Sequence, residues 1–401
     1  MAIQESPNFE NTKVAFSAKS TFELKKAEWL FSMIGRSWIT GLAKSITNFS
    51  LKMGLPIDPL LKYTVFGHFC GGETVEQCKG TVENMYQHGG VSSILDYSVE
   101  GKQGESFFEG TLQTLLEVCA HAKANPAVPF LVFKPSGMGR FEIYQKVSER
   151  RGLDQAEMLE WERISQRFDT ICGAVAATDS LKIMIDAEES WIQKAIDGLV
   201  ESMMLKYNGK RTVVFNTVQM YRNDRLSYLH NVHSFGRDHN VRIGVKLVRG
   251  AYMEKERERA RTNGYESPIC SDKAATDANF DSGLKFCLLN LEVFDVFVGT
   301  HNEGSCLQFS QKLNEEGMAK NDHRIWFGQL YGMSDHISFN LAKEGYNTAK
   351  YVPFGPVKEV VPYLFRRAEE NTSVGSQTSR ELSFIKRELQ RRKKERELSK
   401  I

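Results

Sequence analysis

The sequence lacks any apolar run near the ~20 residues that a bilayer-spanning helix requires, so no membrane span is expected. It lacks a CxxC pair, and its seven cysteines are an odd number. That argues against a disulfide framework or a cysteine zinc site and for a reducing compartment. No GxGxxG follows an apolar run; "SGMGR" (136–140) has no third glycine, which argues against a Rossmann cofactor domain. Net charge is only +2, so the whole molecule is no polyanion binder and no nucleic-acid partner is expected. The N-terminus carries Glu5 and Glu10 and has no continuous apolar core, unlike a secretory signal or a transit peptide. His230 and His233 lie three apart without an acidic partner in sequence, and no metal is expected. The location these absences imply is cytoplasmic.

What is present is a globular composition, 41% apolar and 25% charged, over 401 residues. The charge is uneven. Residues 380–401 hold nine Lys/Arg and four Glu, net +5, which leaves 43 basic against 46 acidic residues elsewhere. Within that tail Leu382, Ile385 and Leu389 form one helical stripe among basic residues. Two readings stand for it: a solvated, partly disordered tail, or a basic amphipathic helix making peripheral contact with the inner face of a membrane.

Residues 21–50 have helical apolar spacing (Leu24, Ala27, Leu30, Phe31, Ile34, Trp38, Leu42, Ile46). A second helical region runs to about residue 88 and stops at Gly89–Gly90. Residues 1–88 therefore read as a helical N-terminal section, packed on the main domain or turned towards a membrane.

After Gly90 the pattern changes to short β-rich runs, each followed by a helix-length stretch. They are "VSSILDYS", "PFLVFKPS", "LKIMIDAE", "TVVFNTVQ", "VRIGVKLVRG", "DVFVGTHN", "RIWFGQLYG" and "AKYVPFG". Unalternating strands are buried on both faces, as in parallel sheets. Eight βα units predict a distorted (βα)8 barrel of the TIM type over 89–375, with a doubly wound open sheet as the alternative. Residues 376–401 form the tail.

The C-terminal strand ends of such a barrel carry its site. They offer Glu100, Lys134, Asp186, Gln219, Lys246 with Arg249, Thr300-His301-Asn302, Gln329 and Tyr351. So many polar residues in register are hard to explain by packing, because buried polar groups destabilise unless paired. The last helix begins near Pro356 and should kink at Pro362. Its stretch "YLFRRAEEN" (363–371) sets Arg366 and Arg367 beside Tyr363 and Glu370. Taken alone that is an ordinary solvated face with an Arg366–Glu370 pair. Over a polar rim, two guanidinium forks suit one carboxylate held bidentately. Lys134, Tyr351 and Tyr363 could complete a pocket for a small amino or imino acid.

Five ordered stretches, "KLVRGAYMEKE" (246–256), "KAATDANF" (273–280), "GTHNEGS" (299–305), "FGQLYGM" (327–333) and "YLFRRAEEN", resemble proline dehydrogenase, with the match running from "YTVFGHFCGGE" (63–73) to Asn371. The form of "KLVRGAY" is similar to the mitochondrial enzymes; most bacterial ones have arginine where Lys246 stands. No aldehyde dehydrogenase module follows, so the monofunctional version is expected. The resemblance implies non-covalent FAD and oxidation of L-proline to 1-pyrroline-5-carboxylate by hydride transfer to flavin N5, the first step of proline catabolism. It implies a quinone as electron acceptor. It puts Arg366, Arg367 and Lys134 on the substrate carboxylate and Leu247, Tyr252, Tyr351 and Tyr363 around the ring. It makes Asp186 and Lys246 catalytic. It lines the flavin with Ala187, Gln219, Lys246, Val248, Arg249, Gly250, Ala251, Thr300, His301, Asn302, Gln329, Leu330 and Glu370. Glu100 falls on a gating position that pairs with an arginine of the last helix.

Two other readings compete. A Schiff-base aldolase or lyase would use Lys134 or Lys246 as nucleophile. A non-enzymatic adaptor acting through the basic tail leaves the polar rim unexplained. Within the flavin reading hydroxyproline is the rival substrate, and the resemblance favours proline because Tyr351 would crowd C4 of the ring.

Overall fold

The structure, a computed structural model, describes residues 7–34, 58–99, 102–373 and 375–399, without the side chains of 368–378. Glu100 and the second half of the predicted 21–50 helix lie outside the described residues, as does the side chain of Glu370.

Eight parallel strands close into one barrel in sequence order. They are β1 Ser92–Tyr97, β2 Phe130–Phe133, β3 Lys182–Ile185, β4 Val214–Gln219, β5 Ile243–Val248, β6 Phe294–Gly299, β7 Ile325–Leu330 and β8 Thr348–Phe354. Six fall inside the apolar runs that predict them and β6 and β8 begin one residue before theirs, with helices between successive strands. The expected (βα)8 barrel is the observed fold.

By chain contacts the molecule divides into two compact units, one of Gly101–Gly328 and the other of Glu5–Glu100 with Gln329–Ile401. In the first, β2 to β6 pair in succession and β6 pairs β7. Phe130 of β2 meets Phe215 of β4, Phe297 of β6 and Trp326 of β7 edge-on, at centroid distances of 5.6, 5.4 and 5.1 Å. Rings from alternate strands touch only across a barrel interior, so these four positions define the inward face. Beneath them Lys182 lies over Phe130 and Phe215 and pairs with Asp295 at 3.6 Å, and Arg242 also binds Asp295. This ion cluster closes the N-terminal end of the strands.

In the second unit β1 pairs β8. Here Val75–Gly89 is capped at its start by Thr74 Oγ1, which accepts from Gln77 N, and stopped by Gly90 at φ 67°. The helix Thr21–Ile34 buries Leu24, Ala27, Leu30 and Phe31. That face packs in one core with Val357, Val360, Val361, Tyr363 and Leu364 of the helix Val357–Ser373 and with Phe384 and Ile385 of the helix Gly375–Leu398. Leu382 and Leu389 pack against the same core. Arg392 donates to the carbonyls of Phe16 at 2.9 Å and Lys19 at 2.8 Å. The apolar stripe of the tail is thus engaged within its own unit, and its exposed lysines and arginines are what it offers a charged surface. The helix Val357–Ser373 runs through Pro362 without a break. The lost hydrogen bond is outweighed by the apolar face buried on either side of an exposed proline ring. Among the described residues no helix is long and apolar enough to cross a membrane.

A buried ion cluster holds this unit together. Asp335 receives Lys19 at 2.8 Å and the fully buried Lys350 of β8 at 2.7 Å. Lys350 also donates to the carbonyls of Met333 at 2.6 Å and Leu330 at 3.3 Å. Burial works against the Asp335 charge, but Lys19 and Lys350 outweigh it and hold the carboxyl well below the usual range. A carboxyl held down in the fold adds stability above its unfolded value, near pH 4, and loses it as pH falls further. We predict that Asp335→Asn, which strands two buried ammonium groups, lowers unfolding free energy by about 3–5 kcal/mol in urea titrations at neutral pH. The difference from the parent should shrink as the pH drops below about 4.

Candidate functional site

The inward parity set by Phe130 carries upward along each strand, because side chains alternate. In the unit Gly101–Gly328 it reaches Lys134 after β2, Asp186 after β3, Gln219 ending β4, and Lys246 and Val248 on β5. Lys246 is buried and forms an ion pair with Asp186, whose own N–H donates to Phe133 O at 2.9 Å. A buried ammonium is stable only with such a partner. Gln219 donates from Nε2 to the carbonyl of Glu188 at 2.7 Å, while its buried Oε1 has no hydrogen-bond partner among the described residues.

Arg249, just past β5, is held from three sides. Its Nε donates to Asp277 at 2.7 Å, Nη1 to Thr300 at 2.8 Å and Nη2 to Ser305 at 2.9 Å. Its guanidinium lies 4.3 Å from the Phe280 ring. Burial opposes the Asp277 charge, but hydrogen bonds from Lys273 and Arg249 outweigh it and keep the carboxyl below its usual range. Ser305 Oγ in turn donates to Asp281 Oδ1 at 2.8 Å. Asn302 caps the helix Glu303–Glu315 by accepting from Ser305 N at 3.0 Å, and its N–H donates to Thr300 Oγ1 at 3.1 Å. His301 is half-buried between them. Gly250 has φ 133°, and a Cβ there would meet the Tyr221 ring at 2.6 Å. The turn Arg249–Tyr252 therefore passes over a ring with backbone exposed at Gly250 and Ala251. Tyr252 and Ala187 are half-buried.

Leu247 departs from expectation. Its parity is outward, and a Cβ on Gly283 of the helix Lys273–Leu288 would meet Leu247 Cδ2 at 3.1 Å. Leu247 packs between strand and helix and does not line the mouth.

The unit Glu5–Glu100 with Gln329–Ile401 holds the other expected residues. Gln329 also faces outward: its Oε1 accepts from Ser338 Oγ at 2.7 Å, in the helix Asp335–Lys343. Its side chain is therefore turned from the strand interior, to which Leu330 belongs by parity. Tyr351 is buried on β8, and its carbonyl accepts from Tyr331 N at 2.8 Å. Tyr363 is buried in the core described above, with the Arg367 guanidinium 5.1 Å from its ring. Arg367 is buried and Arg366 half-buried. Stacking on a phenol spreads the cation over an apolar face while its N–H edges stay directed.

Sequence reasoning passed over Glu188, Asp277, Phe280 and Asp281. The last three follow Lys273 at four, seven and eight residues, one helix face that starts in a stretch already singled out and ends one residue past it, so the spacing was there to read. Glu188 follows Asp186 by two and shares its parity. Its carboxylate accepts from Ser136 N at 2.8 Å and Ser136 Oγ at 2.6 Å. The two histidines of the helix Arg225–His239 pack on rings: His230 lies 4.0 Å from Phe286, and His233 stacks on Phe294 at 5.9 Å.

The chain matches the family described as proline dehydrogenase over residues 78–380. It is 35% identical over 325 residues to the carbapenem antibiotics biosynthesis protein CarD of Pectobacterium carotovorum subsp. carotovorum, across 81% of this chain and 83% of that one. It is 30% identical over 428 residues to proline dehydrogenase 1, mitochondrial, of Dictyostelium discoideum, across 95% of this chain and 74% of that one. A crystal structure of proline utilization A (PutA) from Bdellovibrio bacteriovorus inactivated by N-propargylglycine shares the fold, with TM-score 0.70 at 17% identity over 91% of this chain. The chain spans 37% of that structure's length. With its eight-stranded barrel and a family match over three quarters of its length, the chain belongs to the proline dehydrogenase family of oxidoreductases.

Proposed function

We propose that the protein oxidises L-proline to 1-pyrroline-5-carboxylate with bound FAD and passes the electrons to a quinone. The observation that carries this reading is the buried Lys246–Asp186 pair on the inward face, beside a buried amide oxygen that no group among the described residues satisfies. A lone buried acceptor destabilises unless something donates to it. The Gln219 oxygen suits a ring N–H of a planar cofactor. The exposed backbone at Gly250 and the clamped Arg249 suit its phosphates, together with the capped helix start at Asn302. Lys246, Ala187, Val248, Ala251, Thr300, His301 and Leu330 would line the same group, with Glu370 and the backbone at Gln329. When bound, the flavin supplies the hydride acceptor, and the protein supplies position and charge.

Lys246 provides a fixed cation for charge that develops on the acceptor, and Asp186 orients it. Arg366, Arg367 and Lys134 hold the substrate carboxylate. The same cations favour the neutral amine by like-charge repulsion. That matters because hydride leaves the ring carbon next to nitrogen as the nitrogen gives up its proton. Tyr351, Tyr363 and Tyr252 bound the ring, and Glu100 would gate entry. A Schiff-base reaction needs a free amine at Lys246, which instead is engaged by Asp186. Peripheral contact with a membrane, through the exposed charges of the last helix, would bring the enzyme to a quinone.

The purified protein should show a flavin spectrum that L-proline bleaches without oxygen; a colourless, fully folded protein that FAD does not bind would refute this reading. Arg366→Met or Arg367→Met should lower kcat/KM for proline by about 2–4 kcal/mol, mostly through KM, with flavin content unchanged. Tyr351→Ser should shift the proline/trans-4-hydroxyproline preference by roughly 1–3 kcal/mol towards hydroxyproline, as read from the ratio of kcat/KM values.

A further inference from the structure

Glu188 is a carboxylate buried to 6% exposure at the same end of the barrel as Lys134 and Asp186, and no step above uses it. Both its oxygens are spent on one residue, Ser136, through the Ser136 N–H and hydroxyl. Ser136 belongs to the turn Pro135–Gly137, whose first flanking residue is Lys134. That turn is pinned twice more. Tyr144 donates to Pro135 O at 2.8 Å, and Gly137 N closes on Lys134 O at 3.0 Å. Glu188 is itself held: its N–H donates to Gln193 Oε1 at 3.3 Å, and its carbonyl accepts from Gln219. Gln193 continues to Asp197 at 2.8 Å, which also receives Arg225 at 2.9 Å and Asn216 at 2.8 Å. A buried hydrogen-bonded chain of this kind holds its members in one arrangement.

We propose that Glu188 is a positioning residue for Lys134: by clamping Ser136 it fixes the turn on which Lys134 stands, and so sets the affinity of the site for the substrate carboxylate. The inference rests on the reading that Lys134 meets that carboxylate. It explains why a carboxylate is retained where burial disfavours its charge. Burial pushes Glu188 up to about 7, with the Ser136 hydrogen bonds opposing, Glu189 adding to the rise and Lys134 opposing it. Tyr144 faces the same carboxylate as a neutral phenol that burial holds far above its usual range. When Glu188 takes a proton it no longer accepts both Ser136 donors, and the clamp loosens. The site's affinity should therefore fall as pH drops through about 7.

The test uses the purified full chain loaded with FAD. Cyclopentanecarboxylate, which has the ring and carboxylate of proline without its amine, is titrated by calorimetry alongside KM and kcat for L-proline. Glu188→Ala and Ser136→Ala should each weaken the probe and raise KM roughly ten-fold, as for loss of a hydrogen bond to a charged group. Turnover should stay within about two-fold. Glu188→Gln, which keeps an acceptor, should lose less, and its KM should be flat with pH where the parent's rises on acidification. In a Lys134→Met background, Glu188→Ala should cause no further loss. Should Glu188→Ala fail to fold, Ser136→Ala carries the same expectation while leaving the carboxylate in place with the residue 136 N–H still donating to it. Additive losses, or a fall in kcat with probe affinity intact, would overturn the proposal. A loss in Lys134→Met with none in either Glu188→Ala or Ser136→Ala overturns this proposal alone. No loss in Lys134→Met overturns the anchor reading, and this proposal with it.

Discussion

A strand in a closed parallel barrel must turn each side chain either to the interior or to the helices, and one choice settles the whole strand. In this protein the choice is made low in the barrel by rings. Phe130, Phe215, Phe297 and Trp326 can meet only inside, so their parity is inward. Four residues beyond Phe130 and Phe215, the same parity delivers Lys134 and Gln219 to the top. Lys182, beneath the rings, is followed at the same spacing by Asp186. The aromatic layer thus fixes which polar groups can share a site, and any single-residue slip in β3 or β5 would turn Asp186 and Lys246 into the helical layer.

Burying the polar groups so delivered is expensive unless each is answered nearby. At the lower end Lys182 and Arg242 share Asp295. At the upper end Lys246 has Asp186, and Arg249 has Asp277 with two hydroxyls. These answers differ in kind. The lower cluster is answered by protein groups, Arg249 is held through three of its five N–H donors, and the Gln219 oxygen has no partner among the described residues. Saturation marks support and openness marks a place for a ligand, which is how the two can be told apart without one bound.

Much of this was legible in the sequence because the barrel writes itself as eight unalternating apolar runs, each ending in a polar residue. The same property hid the facing of Leu247 and Gln329. A strand buried on both faces carries no alternation from which to read parity, so a polar strand end looks inward whether or not it is. Gln329 is answered by Ser338, nine residues on in the next helix, and only packing reveals that. The tail was ambiguous for a related reason. Leu382, Ile385 and Leu389 make a thin stripe that suits a membrane surface or a protein groove equally. Phe384, outside the stripe as first drawn, widens it into a core-facing side where His336 stacks at 4.5 Å.

Lysine at 246 fits this logic more closely than a fork would. An arginine beside Asp186 would align two parallel N–H groups with both carboxylate oxygens and leave its remaining edge in a fixed plane. A lysine binds as a point charge: Nζ meets one Asp186 oxygen, and its donors rotate about the last bond of the side chain. Its direction must then come from elsewhere. Asp186 supplies it, because its backbone is tied to Phe133 O and its chain continues within two residues to the clamped Glu188. The loop after β3 therefore serves two cations at once, orienting Lys246 through one carboxylate and the Lys134 turn through the next. The position of charge over this end of the barrel is set by that short acidic segment, not by the lysines themselves.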